Sequence, residues 1–476
     1  MRNAIIALFA IITPATAGAQ PERYELGRKL KLFEIEWDKQ TEAVGRKRAL
    51  EVMPKVMQQF FTFQFGEAGR TLDTARFALL DKDPPSNAER WIAPIHLTPG
   101  SRLIDMDAKE LPITLAQFYK PDATKPEKVA FQVSWPNEKL QDVAVAKFPT
   151  KTSIALPKAL AKPDAAEDVA LEYTVELDGK PATSQSVIIS RVANLKERLA
   201  QLKKAAAAPS EPPTIESATL TERVDLLEKL ADGQTLETDY PAAKLLLEAE
   251  AISAAGVGKA YFTADKPGQF WMSVPTGKGK QTALRVLVPK GLDAKKPVPV
   301  VVALHGAGGS ENLFFEGYGN GQIVKECEKR GWILIAPRSA LAFAGGGPPV
   351  GDILDALAKR YPIDPALAFI VGHSMGAVQT IDAVQAYPKR FAAAAALGGG
   401  GRVRKPDLFK TLPVFVGVGG KDFALGGSKA LYKALVDGGA TAATFREYES
   451  IEHMVIVRAA LPDVFALFDK LAQPAK

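Results

Sequence analysis

The spacing of apolar residues changes along the chain, and the changes divide it into stretches of different structure. Leu26, Leu30, Phe33 and Trp37 recur at intervals of four, three and four, and Val52, Val56 and Phe60 continue such a stripe. This spacing predicts amphipathic helices over 20–91. From about Ile92 to Val192 the pattern becomes alternation, as in Lys128 to Trp135 and Ala170 to Leu177, and Asp178-Gly179 gives a hairpin-type turn before Ser186 to Ser190. A small antiparallel β domain of sandwich type is expected over 92–193. Helical spacing returns at 194–204 and again from Leu226-Leu227 to Leu245-Leu246-Leu247. The Pro/Ala-rich stretch 205–217 between them reads as a linker, because prolines cannot continue a helix. Residues 194–260 are thus a helical connector.

Beyond 260 the apolar residues come in unbroken runs. Val298 to Leu304, Ala366 to Ile370, Phe391 to Leu397 and Leu412 to Val418 are of this kind, and Thr444 to Tyr448 alternates like an edge strand. Continuous runs suit strands buried on both faces of a parallel sheet. Residues 261–476 therefore form a further domain.

Chemistry enters with Val371-Gly372-His373-Ser374-Met375-Gly376-Ala377. A serine on a sharp strand-to-helix turn needs glycine two positions before and two after, since side chains there would collide with strand and helix backbone. Ser374 follows an apolar strand and precedes a helical stretch, as such a nucleophile elbow requires. A nucleophilic serine also needs a base, an orienting acid and an oxyanion hole. Of the four histidines, His96, His305, His373 and His453, only His453 lies beyond the last strand. As general base it would take the Ser374 proton and return it to the leaving group. Asp422, at the carboxyl end of the strand Leu412 to Val418, is the candidate orienting acid, with Asp407 and Glu452 as weaker competitors. The run into His305-Gly306-Ala307-Gly308-Gly309 supplies a flexible loop able to aim backbone N–H groups at a developing oxyanion. The expected hole combines the N–H of Met375 with that of Ala307, or else Gly306. His305 reads as a structural residue shaping this loop, and His373 as one that lines the site or packs.

With HGAGG, GHSMG, GGKD and a late histidine in the order Ser, Asp, His, residues from about 280 to 476 resemble the α/β-hydrolase superfamily. The runs Leu304 to Ser310 and Tyr361 to Gly376 are similar to secreted esterases of the polyhydroxybutyrate-depolymerase-like and feruloyl-esterase-like type. Dienelactone hydrolases and prolyl-oligopeptidase-type peptidases are near relations. The resemblance implies an α/β fold, a mostly parallel sheet flanked by helices, preceded here by the helical segment and the antiparallel domain. It also implies a carboxylic ester hydrolase working through an acyl-enzyme, with a serine peptidase and a catalytically idle binding or scaffold domain as alternatives. The segment between the strands ending at Leu397 and starting at Leu412 is too short for a large lid, which implies an open site for soluble or surface-accessible polymeric esters. The substrate pocket is then expected from the loop Asn312 to Gly319, with Phe314, Phe315 and Tyr318, from His373, and from the glycine-rich stretch Phe343 to Pro349.

Composition narrows the other classes. Gly317, Gly319 and Gly321 lack the strand that a dinucleotide loop must leave. The scattered histidines and the single Cys327 offer no zinc spacing, so neither metal nor other cofactor is expected. The formal charge of +6 and pI near 9.0 arise from lysines and arginines interleaved with acids, without aromatic-laced basic clusters. Nucleic acid is not an expected partner, though weak contact with anionic envelope polymers is compatible with this charge. Met1-Arg2-Asn3, the apolar Ala4 to Ile12 and the small residues Ala15 to Ala19 read as a signal peptide over 1–19, cleaved before Gln20. Its core is too short to anchor in a bilayer. The expectation is an exported protein, periplasmic or extracellular, without a membrane anchor.

Overall fold

The structure is a computed structural model that describes residues 20–473 except 81–83, 139, 159–161, 163, 209, 257, 278 and 340–346. The expected signal peptide lies outside the described residues. The chain forms two compact units. One takes the described residues up to Ser210 together with Leu220–Lys259, and the other takes Glu211–Thr219 and the chain from Ala260 onward.

The first unit begins with α1 (Gln20–Lys39), α2 (Ala43–Val52), α3 (Pro54–Phe61), α4 (Phe65–Leu79) and α5 (Asn87–Ile92). The stripe Leu26, Leu30, Phe33 and Trp37 is the buried face of α1. Ser86 and Glu89 close a capping box that starts α5. There follow β1 (Ile95–Pro99), β2 (Leu103–Asp105), β3 (Glu110–Gln117), β4 (Val129–Ser134), β5 (Gln141–Asp142), β6 (Thr150–Ala155), β7 (Ala166–Leu177) and β8 (Lys180–Val192). They make two sheets, β1-β3-β6 and β2-β8-β7-β4-β5, whose inward residues, among them Leu97, Ile113, Phe131 and Leu171, share one apolar interior. The domain is a sandwich, antiparallel except that β2 lies parallel to β8. Asp178 and Gly179 turn β7 into β8 with φ of 50° and 74°, the sign that a two-residue hairpin turn demands. Trp135 is buried and donates its indole N–H to Ala155 O at 3.0 Å, so it offers no exposed binding platform. The unit continues into α6 (Leu195–Ala206), α7 (Ile215–Ala231), which the division between units crosses, and α8 (Ala242–Ala255).

The second unit is built on β9 (Gly268–Pro275), β10 (Gln281–Val288), β11 (Val298–Leu304), β12 (Ile333–Pro337), β13 (Ile363–His373), β14 (Ala393–Leu397), β15 (Val414–Gly419) and β16 (Ala443–Tyr448). They form one sheet in the order β16-β15-β14-β13-β11-β12-β10-β9. All neighbours are parallel except at β10, which is antiparallel to both β9 and β12. Every residue of β12, β14 and β15 is buried, which explains why these strands read as unbroken apolar runs. The connections carry α9 (Gln322–Arg330), α10 (Val350–Ala358), α11 (Met375–Ala386), α12 (Leu425–Asp437) and α13 (Ile456–Ala472). On one face α9 and α13 pack over the sheet, where Phe468 stacks on Phe369 at 4.4 Å and Trp332 on Phe465. Parallel pairing aligns the carboxyl ends of β11, β13, β14, β15 and β16 along one edge of the sheet, and the chain leaves each of them there in a loop or tight turn. In open α/β sheets that edge is where ligands bind. No described helix is long and apolar enough to cross a membrane.

Candidate active site

The elbow follows from three backbone facts. β13 runs through His373, α11 starts at Met375, and Ser374 between them takes φ 57° and ψ −114°. This is strained backbone, of the kind that persists only when its surroundings over-determine it. A side-chain carbon on Gly372 would overlap the carbonyl oxygen of Gly376, and one on Gly376 would overlap that of Leu304 in β11. The two glycines of the motif are thus required by close packing of strand and helix. Ser374 is partly exposed, its N–H bonded to Leu397 O at 2.9 Å. Met375 opens α11, where the first N–H groups have no acceptor within the helix.

Asp422 and His453 are brought together from the ends of β15 and β16. His453 Nδ1 lies 2.8 Å from Asp422 Oδ1, and both side chains are buried. Because a carboxylate only accepts, Nδ1 carries the proton and donates in this bond. Asp422 Oδ1 also accepts from Ala424 N–H at 2.7 Å, which fixes the carboxylate. His453 Nε2 is buried and has no hydrogen-bonding partner among the described residues, the candidate nucleophile Ser374 included. Catalytic hydrogen bonds of this kind are often long without substrate and tighten in the complex. The competing acids are otherwise engaged. Glu452 accepts from Met454 and Val455 N–H at 2.8–2.9 Å at the start of α13, and Asp407 is exposed and paired with Lys410.

The loop after β11 is held from several sides. His305 Nε2 accepts from Ser339 N–H at 3.0 Å, so Nδ1 carries the proton and donates to Gly306 O at 2.8 Å. Gly309 N–H donates to the same oxygen at 3.1 Å. In a trans peptide the C=O and the following N–H point opposite ways, so Ala307 N–H is turned away from the His305 ring. This is the structural role expected of His305. Gly306 differs from expectation. Its N–H donates to Tyr318 Oη at 3.2 Å and is therefore taken, which leaves Ala307 and Met375 as the candidate oxyanion donors. Gly306 nevertheless sits against Ser374, since a side-chain carbon on it would lie 3.3 Å from Ser374 Cβ.

The expected pocket residues are corrected by burial. Phe314, Phe315 and Tyr318 are no more than 6 % exposed and belong to the core on the α9 and α13 face of the sheet. The reason is Arg285 on β10. Its guanidinium lies over the rings of Trp271 and Phe315 at 4.1 and 4.6 Å and bonds Asn312 Oδ1 and Glu316 Oε1 at 3.0 and 2.6 Å, drawing the loop inward. His373 does not line a pocket either. Tyr318 Oη lies 2.6 Å from its Nδ1 and His453 O lies 2.9 Å from its Nε2. Burial and the neighbouring His453 push its pKa well below the usual histidine value. The ring is neutral and donates through Nε2.

One residue the sequence did not single out stands at the site. Phe423 is 63 % exposed and lies over the His453 ring at 4.3 Å. Of the glycine-rich stretch, Phe343 to Gly346 lie outside the described residues, while Gly347 and Pro348 border a cavity of about 400 Å³ with Gln379, Asp382, Tyr387 and Arg404. Between β14 and β15 the described regular structure is a single 3-10 turn, Pro406–Phe409. Among the described residues no group of three or more His, Cys, Asp or Glu is placed to hold a metal ion.

No protein-family model and no curated protein matches the chain. Solved structures similar to it include a feruloyl esterase module from Clostridium thermocellum, 16 % identical with TM-score 0.37, covering 46 % of this chain and 95 % of that one. A thermostable esterase is 17 % identical with TM-score 0.38 and covers 79 % and 98 %. A fluorophosphonate-binding serine hydrolase F of Staphylococcus aureus is 15 % identical with TM-score 0.36 and covers 44 % and 99 %. The fold itself rests on strand order, on the single antiparallel strand β10 within the parallel array, and on the elbow between β13 and α11. By these features the second unit has the α/β-hydrolase fold.

Proposed function

We propose that this protein is an exported serine hydrolase that cleaves carboxylic esters. The observation that carries the reading is the buried His453–Asp422 pair, whose other ring nitrogen, Nε2, has no partner among the described residues, at the same sheet edge as a strained, partly exposed Ser374. In the proposed reaction His453 Nε2 takes the Ser374 hydroxyl proton as Oγ attacks the ester carbonyl. The N–H groups of Ala307 and Met375 receive the negative charge of the tetrahedral intermediate. Collapse expels the alcohol, which takes the proton from His453, and leaves an acyl group on Ser374. Water, deprotonated by the same nitrogen, then releases the acid. Asp422 holds the imidazole tautomer and stabilises the imidazolium.

The preference for esters over peptides rests on the resemblance of the HGAGG and GHSMG runs to secreted esterases, and export rests on the reading of Met1 to Ala19 as a signal peptide. The substrate is taken to be a small or surface-accessible polymeric ester, reached without a membrane anchor. The test is labelling of the mature protein by a fluorophosphonate, read as intact mass, in wild type, Ser374→Ala and His453→Ala. Labelling of wild type alone is the expected result. A folded wild type that takes no label would sink the mechanism in favour of the idle binding domain.

A further inference from the structure

We infer that Tyr318 and His373 form a positioning relay that ties the oxyanion loop to the backbone of the general base. The inference rests on the serine-hydrolase reading above. Its basis is a chain of hydrogen bonds whose polarity is fixed at every step. His453 O can only accept, so His373 Nε2 donates to it at 2.9 Å. On the neutral ring Nδ1 is then the acceptor, so the Tyr318 hydroxyl donates to it at 2.6 Å. The lone pair of Tyr318 Oη in turn receives Gly306 N–H at 3.2 Å. The sequence runs Gly306 N–H to Tyr318 O–H to His373, and His373 N–H to His453 O. All four residues are buried.

Each end of the relay touches the chemistry. Gly306 is peptide-bonded to Ala307, the candidate oxyanion donor, and lies against Ser374 Cβ. His453 is the base itself, so a bond to its carbonyl sets the height of its ring above the sheet edge. His373 is also the residue before the nucleophile, and its ring lies 4.6 Å from that of His453. One tyrosine and one histidine therefore fix, relative to the nucleophile, both the donor that meets the oxyanion and the nitrogen that moves the proton. Neither side chain contacts the substrate in this account, so both are positioning residues.

A positioning role predicts a loss in kcat without a matching change in KM, because ground-state binding is untouched. Misplacement of reacting groups by about 1 Å costs on the order of a hundredfold. Tyr318→Phe keeps the ring that packs edge-on against Phe314 and removes only the hydroxyl. With an activated acetyl ester as probe, Tyr318→Phe and His373→Asn are each expected to lower kcat about ten- to a hundredfold with KM within about twofold. The double variant should fall little below the worse single one, as members of one network are non-additive. Affinity for a boronic acid, which mimics the tetrahedral intermediate, should weaken in parallel with kcat/KM. Phe314→Leu disturbs the same packing without touching the relay and should lower the melting temperature while largely sparing kcat. A folded Tyr318→Phe with kcat within threefold of wild type, fully multiplicative losses in the double variant, or an equal kcat loss in Phe314→Leu would each overturn the inference. Wild type that neither hydrolyses the ester nor takes the fluorophosphonate would instead remove the hydrolase reading, and the relay with it.

Discussion

In the mechanism proposed above, Asp422→Asn isolates the charge behind the base, because the geometry allows almost everything else to remain. Asp422 Oδ1 accepts both His453 Nδ1–H at 2.8 Å and Ala424 N–H at 2.7 Å. An amide oxygen in the same place accepts both, so the tautomer of His453 and the turn are kept. What disappears is the negative charge facing the imidazolium that forms when Ser374 loses its proton. With a contact of this length the two charge centres lie about 4 Å apart, and at an effective dielectric of about 20 their attraction is about 4 kcal/mol. A loss of that size in the transition state corresponds to about a thousandfold in kcat. The amide nitrogen would replace Oδ2, which is buried without a partner among the described residues, and would leave its own donors unsatisfied, costing a further 1–3 kcal/mol or so of stability. Steady-state hydrolysis of an activated acetyl ester, with urea unfolding of the same samples, measures both. A folded Asp422→Asn enzyme with kcat within tenfold of wild type would refute the role assigned to this carboxylate.

Other outcomes follow from the same geometry. Gly376→Ala drives a methyl group into the Leu304 carbonyl oxygen, so loss of about 3 kcal/mol or more, seen as a large drop in melting temperature, is expected, and a drop of under a degree would contradict it. Phe423→Ala removes a ring that is 63 % exposed, so stability should change by no more than about 0.5 kcal/mol. Loss of its contact with His453 should cost about two- to tenfold in kcat/KM, and an unchanged value would show that the contact is idle. His373 gives a pH signature. Its pKa is held well below 6.5 by burial and by His453, so below that pH the unfolded chain binds a proton that the folded protein does not. Stability from this group is full above the unfolded value and is lost as pH falls from it toward the depressed folded one, at up to about 1.4 kcal/mol per pH unit. Urea unfolding from about pH 5 to 7 should show a shallower dependence in His373→Asn, and an equal slope would count against a buried neutral ring. His96, whose pKa is also lowered by burial, contributes equally to both proteins and cancels.

The parts of the fold legible in the sequence were those governed by local rules. The run Val298 to Leu304 is β11 to the residue, because a strand buried on both faces leaves an uninterrupted apolar signature. Gly372 and Gly376 announced the elbow, because backbone crowding leaves no alternative side chain. The pairing of Asp422 with His453 was legible because each follows a recognisable strand at its carboxyl end. The aromatic loop was not legible. Phe314, Phe315 and Tyr318 have no periodicity, and the residue that folds them inward, Arg285, lies 27 positions from Asn312 and 31 from Glu316. The glycine-rich loop after β11 left Gly306 open as an oxyanion donor, whereas its N–H is taken by a tyrosine 12 residues on. The exposure of Phe423 depends on where the loops at the sheet edge end, which no spacing rule encodes.

In the proposed reaction Ser374 carries the acyl group. The most direct test of this is to quench the wild-type enzyme during turnover of an activated acetyl ester and map the acetyl group by peptide mass. The account predicts acetylation confined to the peptide containing Ser374 and absent from Ser374→Ala, which should also lose turnover. Ester consumption that continues in Ser374→Ala, or an acetyl group found elsewhere while Ser374 stays unmodified, would contradict it.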